Sequence, residues 1–261
     1  MAINEQEIQE IVRSVLKGMG TTAAAPAAPK APEKKLLGIF ETADEAIAAA
    51  KAAQKEIQPM PLEFREKIIA NIRKKTLENA KLLSELAVEE TGMGNVGHKI
   101  IKHQLVAEKT PGTEDLKTIA WSGDRGLTLT EMGPWGVIGA VCPSTNPTCT
   151  VICNSIGMLA AGNAVVFMPH PSAKNCSNLA IDMVNRASVE VGGPENIVTA
   201  VAEPTMDGIA EVSGHDVCAV MLELIQGESG VYPLDQGFVH DLAVLCAERE
   251  AGRAVLYELF L

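Results

Sequence analysis

A polar turn between two prolines, PSTNP at residues 143–147, holds the residue best suited to chemistry in this sequence. The turn follows an apolar stretch that ends at Cys142, and prolines near Asn146 restrict the local backbone. A side-chain amide fixed there can donate to an oxygen that gains negative charge in acyl transfer, a contribution of roughly 3 kcal/mol. Asn146 could equally be a turn residue, or the cap of a helix that starts at Thr148. The residues alone leave both roles open.

Six cysteines are the other candidate nucleophiles and metal ligands: Cys142, Cys149, Cys153, Cys176, Cys218 and Cys246. They form no CxxC pair and lack the spacing of a disulfide framework, which favours reduced thiols in a cytoplasmic protein. Cys149 and Cys153 stand one helical turn apart, but two thiols among apolar neighbours favour core packing over metal binding. The sequence therefore predicts no metal site.

Two further patterns match functional motifs by their letters but not by their context. Residues 92–97, GMGNVG, fit the GxGxxG pattern of a dinucleotide-binding turn, which must follow a strand and open a helix. Here the pattern follows a long helical segment, so it predicts a helix C-cap and a turn. His98 and His103 lack the glutamate pattern of a zinc protease, and both are expected on a solvated helix face.

Composition excludes several classes of function. The chain of 261 residues has 22 Lys and Arg against 33 Asp and Glu, a formal net charge of −11. Nucleic acid is not expected as a partner, since binding its phosphates requires positive charge. No apolar run reaches the roughly 18 residues of a membrane span. The start, MAINEQEIQE, lacks the basic and apolar regions of a secretory signal, so no membrane partner is predicted.

The first 35 residues form two segments of different composition. Residues 3–17 have a helical period with one apolar stripe, formed by Ile8, Ile11, Val12, Val15 and Leu16. Residues 18–35 are rich in Ala and Pro and predict a linker. A helix of about four turns is marginal alone in water, so its apolar stripe favours a docking partner. Packing back onto its own domain, or fraying, is the alternative.

Helices alternate with strands over the following residues, 36–207. The predicted helices are 42–57, 61–91, 97–108, 148–161 and 172–191, and the predicted strands are 137–142, 164–168 and 197–201. The longest helix is expected to bury Phe64, Ile68, Ile72, Leu82, Leu83 and Leu86. Alternation of this kind predicts an α/β fold with a doubly wound parallel sheet, in which a ligand binds at the carboxyl ends of the strands.

Four motifs give residues 1–207 a resemblance to a known family: TGMG after the long helix, EMGPWGVIGAVCPSTNPT, AAGNAVVFMPHPSAKN, and GGPENIVTAV from Gly192. They resemble the CoA-acylating acetaldehyde and propionaldehyde dehydrogenases of bacterial microcompartments, a branch of the aldehyde dehydrogenase superfamily. The resemblance implies a partial Rossmann-like, NAD-binding domain over residues 36–207. Residues 1–17 resemble the encapsulation peptides of microcompartment cargo, which implies a shell protein as the partner of residues 3–17 and a place in the compartment lumen.

The resemblance also implies a reaction and a set of site residues. In the family, a cysteine thiolate attacks a short-chain aldehyde, hydride passes to NAD, and the acyl group is transferred to coenzyme A. Asn146 would hold the oxyanion. The residues expected to border the NAD cleft are Pro143, Ser144, Thr145, Met168, Pro169, His170 and Pro171. Relatives that do not acylate CoA have a ribose-binding lysine at the position of Met168. Members of the family form homo-oligomers.

Beyond residue 207 the sequence departs from this family. Residues 214–250, which include ELIQGESGV from Glu223, resemble a fragment of acetylornithine-type aminotransferases. The pyridine-binding aspartate and the Schiff-base lysine of those enzymes are absent, so transaminase activity is disfavoured. No cysteine of this chain occupies the family's nucleophile position. We therefore expect residues 208–261 to be an unrelated tail, and the chain alone to be inactive as a dehydrogenase. A non-catalytic cargo protein is the alternative function.

Overall fold

The structure, a computed structural model, describes residues 35–205 and three short strands beyond them, at 219–221, 225–226 and 232–233. The predicted docking helix at 3–17, the linker up to residue 34 and most of the predicted tail lie outside the described residues. In the part that is described, no helix is long and apolar enough to span a membrane.

Three helices lie between the first strand of the central sheet and its other strands, and their ends have identifiable causes. Helix α1 (Ala43–Ile57) begins after Thr42, whose hydroxyl accepts from the backbone N–H of Glu45 at 3.3 Å, as the capping pattern predicts. Helix α2 (Leu62–Thr91) begins after Pro61 and ends at Gly92, whose left-handed backbone has φ of 67°. Helix α3 (Val96–Lys109) follows directly. The GMGNVG motif is thus a C-cap and a turn, as predicted.

A parallel sheet forms the centre of the fold, with strand order β1-β6-β5-β4-β7. Its strands are β1 (Ile39–Phe40), β4 (Val137–Val141), β5 (Ala164–Met168), β6 (Val198–Val201) and β7 (Ala219–Met221). Helix α4 (Pro147–Ala160) connects β4 to β5, and helix α5 (Lys174–Glu190) connects β5 to β6. This alternation confirms the predicted α/β fold. Strand β8 (Ile225–Gln226) pairs antiparallel with β9 (Tyr232–Pro233).

Helices cover both faces of the sheet. Alternate residues of β5 divide between two hydrophobic clusters: Val165 and Phe167 belong to the cluster with α2, α4 and α5, and Val166 and Met168 belong to the cluster with α1. Burial on both faces explains why β5 is a continuous apolar run rather than an alternating one. Leu82 was expected in the core but is 48% exposed, because only one of two adjacent leucines in a helix can face inward, and that one is Leu83.

One buried amide joins the edge of the sheet to α5. The side-chain amide of Asn185 donates to the carbonyl oxygens of Val198 (2.8 Å), Leu37 (3.2 Å) and Ile181 (3.2 Å). Its oxygen accepts from the backbone N–H of Val198 at 3.4 Å. Asn185 is fully buried, so these bonds satisfy groups that would otherwise be costly in the interior.

A hairpin stands outside the parallel sheet. Strands β2 (Ile119–Gly123) and β3 (Gly126–Thr130) pair antiparallel, and every residue of both strands is exposed. Trp121 is 65% exposed and Leu129 60% exposed, on a ribbon that buries neither of its faces among the described residues. Exposed apolar surface of this extent is unusual on a monomeric soluble domain.

Candidate functional site

The predicted site residues lie at the carboxyl ends of the parallel strands. Strands β4 and β5 pair in register, with Val141 opposite Met168, so the turns that follow the two strands are neighbours. The backbone N–H of Cys142 donates to the carbonyl oxygen of Met168 at 3.0 Å, which holds the two strand ends together. The carboxyl ends of the strands are where ligands of open α/β sheets bind.

The residues expected to border the cofactor differ in how exposed they are at the carboxyl ends of the strands. Pro143, Ser144 and Thr145 are half-buried, and His170 and Pro171 are exposed. Met168 is 3% exposed and packs in the cluster against α1, so its side chain is occupied in the core. Pro169 is also buried. Cofactor binding by these residues stays a prediction. Because the side chain of Met168 is buried, this residue would contact a cofactor through its backbone.

Asn146 stands at the first turn of α4, but its side chain does not cap that helix. Its backbone carbonyl accepts from Thr150 N–H at 3.0 Å, whereas its side chain makes no cap hydrogen bond within the described residues. The side-chain oxygen Oδ1 is buried and has no partner among those residues. A buried polar atom without a partner is costly and therefore needs an explanation, of which a functional role is one. Asn146 therefore occupies the N-cap position considered from the sequence but makes no side-chain capping bond, and its alternative role as a turn residue stays a prediction.

Two buried side chains of α3 contact the turn around Asn146. Lys99 is 6% exposed, and its ammonium group donates to the carbonyl oxygen of Thr145 at 2.8 Å. His103 is fully buried, and its Nε2 lies 2.9 Å from Oγ1 of Thr148. The prediction of a solvated His103 is therefore wrong, while His98 is exposed as predicted. Both buried side chains belong to the stripe of α3 that includes Val106, and this helical spacing was the signal in the sequence.

The contacts of His103 define its tautomer. Its Nδ1 lies 2.8 Å from the carbonyl oxygen of Lys99, which can only accept, so Nδ1 carries the proton. The hydroxyl of Ser84, 3.1 Å from Nδ1, already donates to Ala80 and can accept from the same proton. Nε2 is then the acceptor for the hydroxyl proton of Thr148. Burial lowers the pKa of His103, which favours this neutral form.

The described cysteines are buried or, for Cys153, half-buried, and they are thiols rather than thiolates. Burial raises the pKa of Cys142 and Cys153, and raises the pKa of Cys149 and of Cys176 to about 12. Cys149 belongs to the main hydrophobic cluster and Cys153 packs against it, which confirms the predicted core packing. A nucleophilic cysteine requires the opposite environment, in which the pKa is lowered. Among the described residues, no group of three or more His, Cys, Asp or Glu side chains could hold a metal ion.

A carboxylate of the protein fills the anion-binding end of α5. Glu90, near the end of α2, accepts from the backbone N–H groups of Asn175 at 2.9 Å and Cys176 at 2.7 Å. A helix N-terminus attracts phosphates because its N–H groups lack partners. Here a carboxylate occupies two of those groups, and its negative charge disfavours binding of nucleotide phosphates at the start of α5. Glu90 could not be identified from the sequence, because its partners lie 85 and 86 positions away.

Comparison with known proteins gives one consistent result. The family model of the aldehyde dehydrogenase family matches residues 37–222. An acetylating acetaldehyde dehydrogenase from Bilophila wadsworthia is 49% identical over 220 residues, covering 82% of this chain and 45% of that protein.

Solved structures agree with the sequence comparison. A propionaldehyde dehydrogenase from the fucose utilisation microcompartment of Clostridium phytofermentans is 52% identical, with a TM-score of 0.74 over 84% of this chain and 47% of that one. A propionaldehyde dehydrogenase from Rhodopseudomonas palustris, with bound CoA and an acylated cysteine, is 41% identical with a TM-score of 0.73, over 84% of this chain and 47% of that one.

The extent of these matches bears on the predicted boundaries. The chain spans about half the length of the relatives it matches. The family match continues to residue 222, into the segment that was expected to resemble an aminotransferase. That aminotransferase resemblance finds no support. Strand β7, which pairs with β4, lies within the matched residues, whereas the division expected at residue 207 stays a prediction.

Proposed function

The chain belongs to the aldehyde dehydrogenase family, and we propose that it supplies the NAD-binding and oxyanion-binding part of a CoA-acylating aldehyde dehydrogenase. The reaction would convert a short-chain aldehyde, coenzyme A and NAD to an acyl-CoA and NADH. Relatives at 49% and 52% identity, named as acetaldehyde and propionaldehyde dehydrogenases, support this assignment. NAD, when bound, would accept the hydride of the aldehyde carbon.

The observation that carries the proposal is the state of the Asn146 side chain. It lies at the carboxyl edge of the sheet, does not cap α4, and has an oxygen with no partner among the described residues. The unpartnered oxygen shows that the fold does not hold this amide through its acceptor atom, and the N–H of the same amide is the group that would donate to the oxygen of the aldehyde as that oxygen becomes negative. Such donors act because they are already oriented before the reaction begins.

The carboxyl edge of the sheet is compatible with a dinucleotide. The half-buried turn at 143–145 and the exposed His170 and Pro171 would border it, as expected for an open parallel sheet. The N-terminus of α5 would not hold the phosphates, because Glu90 occupies it. Neither Met168 nor its buried neighbour Pro169 offers a charged group to the ribose, in contrast to relatives with a lysine there.

None of the four described cysteines has the environment of a nucleophile, since three are buried, Cys153 is half-buried, and all four have raised pKa values. Cys218 and Cys246 lie outside the described residues, and the family resemblance places no cysteine of this chain at the nucleophile position. We therefore expect the 261-residue chain to form no NADH from propanal, coenzyme A and NAD above the rate without protein. Absorbance at the NADH wavelength measures this, and titration calorimetry with NAD measures binding separately. Binding without turnover is the expected result.

The control for this experiment replaces two of the described cysteines. Cys149→Ala and Cys153→Ala variants should behave as the unmodified chain does. Turnover that either substitution abolished would show that a described thiol is the nucleophile after all. Absence of NAD binding by a chain that is folded, as judged by circular dichroism, would count against the proposed function.

A further part of the proposal concerns residues 3–17, which lie outside the described residues. Their apolar stripe and the Ala/Pro linker after them support docking to a microcompartment shell protein, and a relative comes from such a compartment. The protein would then reside in the lumen. If targeting is the chain's own role, the protein would be a non-catalytic cargo protein. The described cysteines favour this alternative, because none of them is a thiolate.

Fusion of residues 3–17 to a fluorescent protein tests the targeting proposal. In cells that assemble the compartment, the fusion should concentrate in discrete foci that co-purify with shell protein. The matched variant carries Ile11→Asp and Val15→Asp, which interrupt the apolar stripe, and should remain diffuse. Diffuse fluorescence from both fusions would contradict the proposal.

We also propose that the protein forms homo-oligomers. The β2–β3 hairpin supports this, since its exposed apolar side chains would be buried by a second subunit.

A further inference from the structure

The proposed role of Asn146 requires a fixed side-chain direction, which the contacts of the side chain itself do not provide. An amide that donates to a transient oxyanion must keep a fixed direction, and the N–H that donates cannot also be used to fix that direction. The side chain of Asn146 makes no cap bond to α4 within the described residues. Its Oδ1 has no partner among those residues either, so the described contacts that can orient this amide are those of its chain neighbours.

The neighbours on both sides of Asn146 are held from the same helix. Lys99 bonds the carbonyl oxygen of Thr145, the residue directly before Asn146, at 2.8 Å. One turn further along α3, His103 bonds Oγ1 of Thr148, two residues after Asn146, at 2.9 Å. The turn is thus attached to α3 at two points, with Asn146 between them.

We infer that Lys99 and His103 are positioning residues that hold the turn at 143–148 so that the Asn146 amide is free to bind the reacting oxygen. This inference rests on the proposed function for the role of Asn146, but the attachment of the turn can be tested independently. Neither side chain need contact the substrate. Both act through the backbone and the hydroxyl group that flank Asn146.

Burial makes these two attachments effective. His103 is fully buried and Thr148 is 2% exposed, so water cannot replace their hydrogen bond if it is lost. The direction of the bond is also defined, because the carbonyl oxygen of Lys99 requires the proton on Nδ1 and leaves Nε2 to accept from Thr148. A histidine in the other tautomer could not make both contacts.

Two substitutions of His103 separate its two contacts. In His103→Gln, a side-chain oxygen can occupy the position of Nε2 and accept from Thr148. In His103→Asn, the amide can occupy the position of Nδ1 and donate to the carbonyl of Lys99, but the contact with Thr148 is lost. Thr148→Val removes the same contact from the other side while keeping the shape, and Thr148→Ser keeps the hydroxyl group.

Hydrogen–deuterium exchange of the full chain, measured at residues 144–150, tests the attachment. We expect exchange there to rise about tenfold in His103→Asn and Thr148→Val, the equivalent of one buried hydrogen bond, relative to the change in the rest of the core. His103→Gln and Thr148→Ser should stay within about threefold of the unmodified chain. Lys99→Met should also raise the exchange. Comparing exchange at residues 144–150 with exchange in the rest of the core corrects for any general loss of stability.

The side-chain NH₂ signal of Asn146 in ¹H–¹⁵N spectra provides a readout that a general packing role would not change. It should broaden in Thr148→Val and recover in Thr148→Ser, while the signal of the buried Asn185 stays the same in both. Unchanged exchange at 144–150 and an unchanged Asn146 signal in both His103→Asn and Thr148→Val would overturn the inference. Failure of the unmodified chain to bind NAD would count against the proposed function instead, and the exchange result would still decide the attachment.

Discussion

Replacement of Asn146 by alanine is expected to lower kcat for aldehyde oxidation by about 100- to 1,000-fold, the loss found when one oxyanion donor is removed. The measurement requires an active enzyme, which can be made by joining residues 37–205 of this chain to the remaining half of the 52% identical relative from Clostridium phytofermentans. KM for the aldehyde should change little, because the amide interacts with charge that develops only in the transition state.

Two further variants make this result specific. Asn146→Asp should be at least as damaging as alanine, since a carboxylate would repel the developing negative charge instead of donating to it. Asn154→Ala changes the same residue type two turns along α4, and kcat should stay within about threefold of the unmodified hybrid. A loss below about tenfold in Asn146→Ala would refute the oxyanion role.

The second large effect is expected on stability, at Asn185. Asn185→Asp keeps the shape but replaces the NH₂ donor with an oxygen that faces the carbonyl oxygens of Val198, Leu37 and Ile181. An uncompensated charge at a fully buried site should lower the free energy of unfolding by about 3–5 kcal/mol. Urea unfolding followed by circular dichroism measures the change.

The effect of Asn185→Asp should also depend on pH in a defined direction. Burial raises the pKa of the new carboxyl group above its value in the unfolded chain, so the native state retains a proton that the unfolded state releases. Stability then falls as pH rises from the unfolded pKa toward the folded one. The loss relative to the unmodified chain should be larger at pH 8 than at pH 4. Equal losses at both pH values, or an equal loss in the half-buried Asn154→Asp control, would contradict this account.

The secondary structure could be predicted because each element is bounded by residues with strong local preferences. Thr42, Pro61 and Gly92 mark helix ends through a cap, a fixed φ angle and a left-handed conformation, and none of these depends on distant contacts. The parallel sheet followed from the alternation of apolar strands and helices. Leu82 was assigned wrongly because a periodic pattern does not decide which of two adjacent leucines faces the core.

The site was predictable only where it is local in sequence. Asn146 could be identified from the prolines and the strand around it, but its two attachments come from residues more than 40 positions earlier. His103 was expected on a solvated face because a single histidine carries little information about burial. The helical spacing of His103 with Val106 on α3 was the one signal in the sequence, whereas its hydroxyl partner on α4 becomes visible only when the helices pack. Glu90 was missed for the same reason.

The carboxylate of Glu90 also determines what this edge of the fold does not bind. By accepting from the backbone of Asn175 and Cys176, it acts as an internal substitute for a phosphate group. Shortening this one side chain would uncover two N–H groups at a helix start and create an anion cradle that the native protein lacks. The packing of α2 against α5 thereby keeps these two N–H groups from a free inorganic anion.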